Sequence, residues 1–272
     1  MRPILFELGP IKLHSYGLML VIGFFFAVWN ACREAERRGR KPELILDLAL
    51  PLLLVSVAMC RLVYVAQNLD QYRSLMDVIR VWDGGLSFHG AFFGALIVLG
   101  YYSYRQKIRI TELCDLIAPS VFLGYAFGRI GCLLNGCCYG YACSLPWSMR
   151  FPDEHHRGVL TPPSHPAQLY SAIMAMILFF VMQRAKMSSR FNQFRGQLTL
   201  LFFALYAVER VVMEYFRNGA TADNPWGNPW ITSAQLVSGI ALVFVVVLWQ
   251  IGLRRASNAS VVIPTSENVS AR

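Results

Sequence analysis

The residues best suited to chemistry are cations held where the chain is otherwise apolar. Arg129 lies in GRIGCLLNGCCYG, residues 128–140, directly after the apolar run from Leu116 to Phe127. Gly128, Gly131, Gly136 and Gly140 surround it, and glycines let a backbone or a ligand approach closely. A charge in such a setting is costly unless it has a partner or a task. A guanidinium keeps its charge when buried, and its planar fork suits bidentate recognition of a phosphate. Arg210 lies in ERVVMEYFR, residues 209–217, with Glu214 one helical turn on. On a helix, Glu209, Arg210, Met213, Glu214 and Arg217 fall within an arc of about 140°. That Arg–Glu spacing serves structure or an anion site equally well. His89 comes near the end of WDGGLSFHG, residues 82–90. Delivered by a glycine turn to a helix start, its imidazole is either a hydrogen-bonded structural group or a proton acceptor.

Four of the seven cysteines, Cys132, Cys137, Cys138 and Cys143, form a C-x4-CC-x4-C cluster, with His155, His156 and His165 downstream. Zinc sites usually use C-x2-4-C, and Cys132 falls within a predicted helix. Adjacent Cys137 and Cys138 would make a strained disulfide. A disulfide among Cys137, Cys138 and Cys143 suits a segment outside a membrane. The cluster reads as structural before catalytic, with metal binding last.

The elements that must position these groups are membrane helices. The 272 residues are 56% hydrophobic and only 15% charged, against about a quarter charged in a soluble domain. Mean hydropathy is +0.43. Glu7, Pro10 and Lys12 interrupt any signal-peptide core at the start. Apolar runs predict seven spans: Tyr16 to Ala31, Leu44 to Leu69, His89 to Tyr104, Leu113 to Leu134, Pro166 to Gln183, Gln197 to Phe216 and Ile231 to Leu253. No linker or repeat divides them. The expectation is an all-α integral membrane protein, with one domain over residues 1–255 and a disordered polar tail over 256–272.

Loops after the odd-numbered spans carry 14 Lys and Arg; the N-terminus and the other loops carry 7. The positive-inside rule then puts the N-terminus outside and the C-terminus in the cytoplasm. The net charge of +9 is largely this topology signal, and no aromatic-basic motif supports nucleic-acid binding. On this topology Arg61 and Arg129 lie roughly 25 Å, and Arg210 roughly 20 Å, from the inner boundary. All three fall in the outer half of a core ~30 Å thick, with His89 and Tyr16 at a similar level. Snorkelling at a helix end is the alternative for Arg61 and for Arg129; it accounts less well for the deeper Arg210.

These segments resemble the bacterial prolipoprotein diacylglyceryl transferase family. LHSYGLM at 13–19, RVWDGGLSFHG at 80–90, GRIGCLLNGCCYG at 128–140, HPAQLY at 165–170 and ERVVMEYFR at 209–217 carry the likeness. It implies a seven-span inner-membrane enzyme. Such an enzyme moves the diacylglyceryl group of phosphatidylglycerol to the lipobox cysteine thiol of a prolipoprotein, releases glycerol phosphate, and needs no metal or cofactor. By motif, Arg129, Arg210, His89 and Tyr16 match the family's essential residues. Asn135, Gly140, Glu214 and Arg217 match its substrate-binding pattern. Cys132, Cys137 and Ser171 depart from it, where many members have Asn, Glu and Glu. The other reading is a transporter or lipid-binding protein that uses the same arginines without catalysis. Its mark would be broken helices in matching halves, and the sequence has none. A quinone-linked thiol oxidant would instead depend on the cysteine cluster.

Overall fold

A computed structural model of the chain describes residues 4–8, 11–72, 74–80, 85–153, 158–217 and 232–261. Its helices are α1 (Ser15–Arg37), α2 (Glu43–Gln67), the short α3 (Leu75–Ile79), α4 (Phe88–Gln106), α5 (Ile110–Asn135), α6 (Ala167–Ala185), α7 (Gln197–Glu214) and α8 (Ser233–Val261). Seven are long, and they fall where the apolar runs predict spans. Five of them, α1, α2, α5, α6 and α8, are long and apolar enough to cross a membrane, so this is a multi-pass membrane protein. The shorter α7 carries Glu209, Arg210 and Glu214 within 18 residues.

Two departures from the sequence reading stand at the ends. A small antiparallel hairpin, β1 (Ile4–Leu8) and β2 (Ile11–His14), precedes α1. And α8 continues to Val261, past the residue where the tail was expected to begin; 262–272 and Ile231 lie outside the described residues. The chain divides into two compact units, Val28–Ile117 and the remainder, with the divisions falling inside α1 and α5.

In the unit Val28–Ile117, α4 lies directly on α2. A Cβ on Gly90 would strike the backbone of Met59 and Cys60, and one on Gly94 would lie 2.7 Å from Ser56 Cα. Glycines four apart thus let two backbones touch, the usual device for packing helices in lipid. Ser87 N donates to Cys60 O at 3.0 Å, fixing the start of α4. Below this contact Ala31, Ala35, Ile45, Leu48, Val98, Leu99 and Leu113 form the core. Glu34, fully buried, accepts from Arg37 and Arg38 at 2.6–2.9 Å. Arg40 meets Glu112 at 2.6 Å.

Arg61 does not snorkel. It is 6% exposed, and its guanidinium donates to Val78 O (2.8 Å), Gly85 O (3.1 Å) and Asp77 O (2.6 Å). It also stacks over the Tyr72 ring at 5.2 Å. Gly85 has φ +76°, and a Cβ there would stand 2.8 Å from Arg61 Nη1. Arg61 therefore ties down the segment that leads into α4. Hydrogen bonds to a charged donor are worth about 1.5–3 kcal/mol each. Arg61→Ala should accordingly destabilise the protein by about 2–4 kcal/mol, a larger effect than a snorkelling residue would give. Thermal unfolding in detergent measures this; an unchanged midpoint would refute the clasp.

In the other unit, α5, α6 and α7 pack through small residues. Ala118, Phe122 and Ala126 of α5 meet Ala175, Leu178 and Met182 of α6 and Leu198 of α7. Phe191 and Phe194 stand edge-on to Trp249 of α8, with centroids 6.1 Å away. The first turns of α1 lie on the end of α5. A Cβ on Gly131 would stand 3.0 Å from Tyr16 Cδ2 and 3.2 Å from Met19 Cβ, so Gly131 is what lets Tyr16 settle there.

Candidate anion-binding site

The charged groups of α5 and α7 converge in this second unit. Arg129 Nη2 donates to Tyr125 Oη at 2.9 Å, and the Tyr125 hydroxyl donates to Glu209 Oε1 at 3.1 Å. Arg129 also lies over the Tyr125 ring, 4.9 Å from its centroid. The positions i and i+4 on α5 put the two side chains on one face. Glu209 is 1% exposed and Glu214 5%. Arg210 pairs with Glu214 at 2.7 Å across one turn of α7. The arc expected on this helix is thus its buried face: Glu209, Met213 and Glu214 are all buried there. Ser171, at 1% exposure, reaches Glu209 from α6.

Arg217 is the third cation. It lies just beyond α7, and its pKa is held below the ordinary arginine value by burial, then by the nearby guanidiniums of Arg129 and Arg210. The sequence reading counts Arg61 in that place; the partners of Arg61 are instead the carbonyls of its own unit. Among the described residues, then, three arginines face two carboxylates. Arg129 Nε is buried and has no hydrogen-bond partner among the described residues; the same holds for Gln168 Oε1, and also for Ser171 Oγ and Glu209 Oε2, so Ser171 lies beside Glu209 without bonding it. Buried polar groups are nearly always paired, so Arg129 Nε and Gln168 Oε1 point to a ligand with an acceptor and a donor. An excess of one positive charge among half-buried guanidiniums is expensive until an anion balances it.

Gly140 holds this geometry through its backbone. Its N–H donates to His165 O at 2.9 Å, Tyr141 N–H donates to Phe216 O at 3.1 Å, and residue 140 bridges Arg217. A Cβ on Gly140 would collide with the Phe216 carbonyl and stand 2.9 Å from His165 Cβ. The described residues of the segment, 136–153 and 158–165, are consequently tied rather than loose. Cys143 N donates to Pro163 O at 2.8 Å, and Phe151 is fully buried beneath Tyr139, 5.1 Å between centroids. Gly140→Ala should cost about 1–3 kcal/mol, as overpacking does. Gly128→Ala, whose Cβ would meet only Leu20 Cδ2 at 3.7 Å, should cost almost nothing. Equal melting temperatures for the two variants would contradict this.

The remaining expected residues are less enclosed. Tyr16 is exposed but within electrostatic reach of Arg129. Asn135 ends α5 and is exposed. His89 belongs to the unit Val28–Ile117, in the first turn of α4, with its side chain exposed. His155 and His156 lie outside the described residues. Tyr125 is the functional residue that the motifs pass over, though its i−4 spacing from Arg129 is readable. All seven cysteines stand as thiols, so no pair among Cys137, Cys138 and Cys143 is bridged here. Instead Cys132, Cys137 and Cys138 gather, their sulfurs within 4.8 Å of one another.

Comparison with known proteins adds a family. The model of the prolipoprotein diacylglyceryl transferase family matches residues 3–251. The chain is 33% identical over 250 residues to the phosphatidylglycerol–prolipoprotein diacylglyceryl transferase of Chromohalobacter salexigens, covering 88% of this chain and 90% of that one. It is 31% identical over 239 residues to the enzyme of the same name from Thermosynechococcus vestitus, covering 87% of each. The corresponding Thermotoga maritima protein is 32% identical over 243 residues, covering 88% of this chain and 80% of its own.

Proposed function

The chain belongs to the prolipoprotein diacylglyceryl transferase family, and from that premise we propose that it transfers the diacylglyceryl group of phosphatidylglycerol to the lipobox cysteine of a prolipoprotein signal peptide. The C–O bond between the diacylglyceryl carbon and the phosphate oxygen breaks. A C–S thioether forms in its place. Glycerol phosphate leaves with the bonding electrons, and the thiol proton passes to a base.

The half-buried, under-neutralised arginine cluster carries this reading. Arg129 and Arg210 hold the lipid phosphate, and Arg129 does so through its open Nε. Charge grows on that phosphate as the C–O bond breaks, and fixed guanidiniums in a dry site stabilise the growth strongly. Tyr125 and Glu209 fix the plane of Arg129; Glu214 fixes Arg210. Arg217 adds charge from its place beside Gly140. His89 accepts the thiol proton, because thiolate is the nucleophile. Tyr16 and Asn135 hydrogen-bond the headgroup or the incoming peptide.

The reaction belongs at the outer leaflet of the bacterial inner membrane, on seven spans with the N-terminus outside and the C-terminus in the cytoplasm. What supports this is the split of 14 against 7 basic residues between the two sets of loops. Reporter fusions within residues 105–110 and beyond Val261 should both report cytoplasm; an external signal from either would reverse the assignment. The reaction itself is tested with purified protein in phosphatidylglycerol vesicles and a lipobox peptide. Thioether formation is the expected result. Lipid binding without any thioether would favour a lipid-binding protein instead.

A further inference from the structure

The cluster Cys132, Cys137 and Cys138 takes no part in the reading above, and it is built as a ligand set. Cys132 lies in the last turn of α5. Gly136 N–H donates to Cys132 O at 2.9 Å and Cys137 N–H donates to the same carbonyl at 3.2 Å. Gly136, at φ +82°, turns the chain back over the helix end. Cys138 then also adopts a left-handed conformation, φ +63°, which costs a non-glycine residue roughly 1–2 kcal/mol. Gln168 Nε2 on α6 donates to Cys137 O at 2.6 Å, holding the turn from the other side. The three thiols end within 4.8 Å of one another, and the Cys137 and Cys138 sulfurs are 3.7 Å apart.

Three sulfurs bound at about 2.3 Å to one ion stand about 3.8–4.0 Å apart. A disulfide would need about 2.05 Å. One pair stands close to the separation a shared ion requires, at 3.7 Å, and the third sulfur lies within 4.8 Å of both. The thiols are half-buried, so a cation can reach them. Thiolate sulfur selects soft cations over magnesium or calcium. Arg129 and Arg217 lie within electrostatic reach of Cys138.

We infer that Cys132, Cys137 and Cys138 form a three-thiolate site for a soft divalent cation of the zinc and cadmium class, separate from the transfer chemistry. Binding releases the three thiol protons to solvent and forms three metal–sulfur bonds, with no change of oxidation state. The fourth position stays open to water.

The test uses the full chain, purified with a phosphine reductant that is then removed, with its thiols counted. Cadmium alone is titrated in, and sulfur-to-cadmium charge-transfer absorption is followed. The expected result is one cadmium per chain, displaceable by zinc. Bound cadmium should protect Cys132, Cys137 and Cys138, and not Cys143 or Cys60, from alkylation read by mass spectrometry. Cys143→Ser should titrate like the parent. Cys138→Ser should lose about a third of the absorption and bind at least tenfold more weakly, since metal affinity falls steeply when a ligand is lost. Absence of the band in fully reduced parent protein overturns the proposal. So does protection that falls on other cysteines, and so does cadmium uptake undiminished when all three are serine. The alkylation pattern is read on the parent chain, so the outcome does not depend on any variant folding.

Discussion

Arg129→Ala and Arg210→Ala should each abolish thioether formation per folded protein. Losing one charge-assisted contact that strengthens in the transition state costs about 3 kcal/mol, or 10²–10³ in rate. Each of these arginines offers more than one such contact. Arg129→Lys should fail as well. An ammonium cannot donate to Tyr125 Oη, where Arg129 stands at 2.9 Å, and present a second, coplanar donor to a phosphate. Arg210→Ala removes the partner of Glu214, which is 2.7 Å away and buried. Some loss of stability should therefore accompany it, and Arg210→Lys separates the two effects by keeping a charge beside Glu214. The measurement is product formed on a lipobox peptide in phosphatidylglycerol vesicles, normalised to folded protein. Near-normal turnover in either alanine variant would sink the anion-site mechanism while leaving the family membership standing.

His89→Asn should lower transfer by about 10²–10⁴, the usual worth of a general base. The deficit should shrink as pH rises. An unperturbed thiol has a pKa of about 8.5, so its thiolate fraction grows about tenfold per pH unit well below that value. A variant lacking the base depends on thiol already ionised in solution; the parent does not. The direction follows directly: the ratio of parent to variant rates falls as pH climbs towards the thiol pKa. Rates measured across that range decide it. A ratio that stays flat would show that His89 positions something rather than accepting a proton.

Much of this was legible before any coordinates. Apolar runs locate the long helices because a span must bury its backbone polar groups within itself, so its sequence signal is local. Arg129, Arg210, Glu209 and Glu214 were legible for the same reason: a charge stands out in such a run. What was not legible depends on where the backbone goes after a helix ends. Arg61 finds its partners in the carbonyls of Asp77, Val78 and Gly85, and a carbonyl belongs to every residue type alike. Arg217 joins the cluster only because Gly140 lets two distant segments meet. Cys132, Cys137 and Cys138 defy the usual metal spacing because a glycine in the left-handed region reverses the chain between them. The hairpin over residues 4–14 is too short for its alternation to stand out.

The clasp on Arg61 also constrains how the protein can be made. Its three acceptors among the described residues follow it in the chain, the last by 24 residues. At a synthesis rate of 5–20 residues per second, that interval is about 1–5 s. During it α2 carries a guanidinium that lacks these three acceptors and cannot rest fully in lipid. The helix must dwell at the insertion machinery or the interface until the segment through Gly85 emerges, and α4, whose Gly90 and Gly94 fit against α2, emerges directly behind it. Membrane integration of these two helices is therefore a joint event, timed by a single arginine.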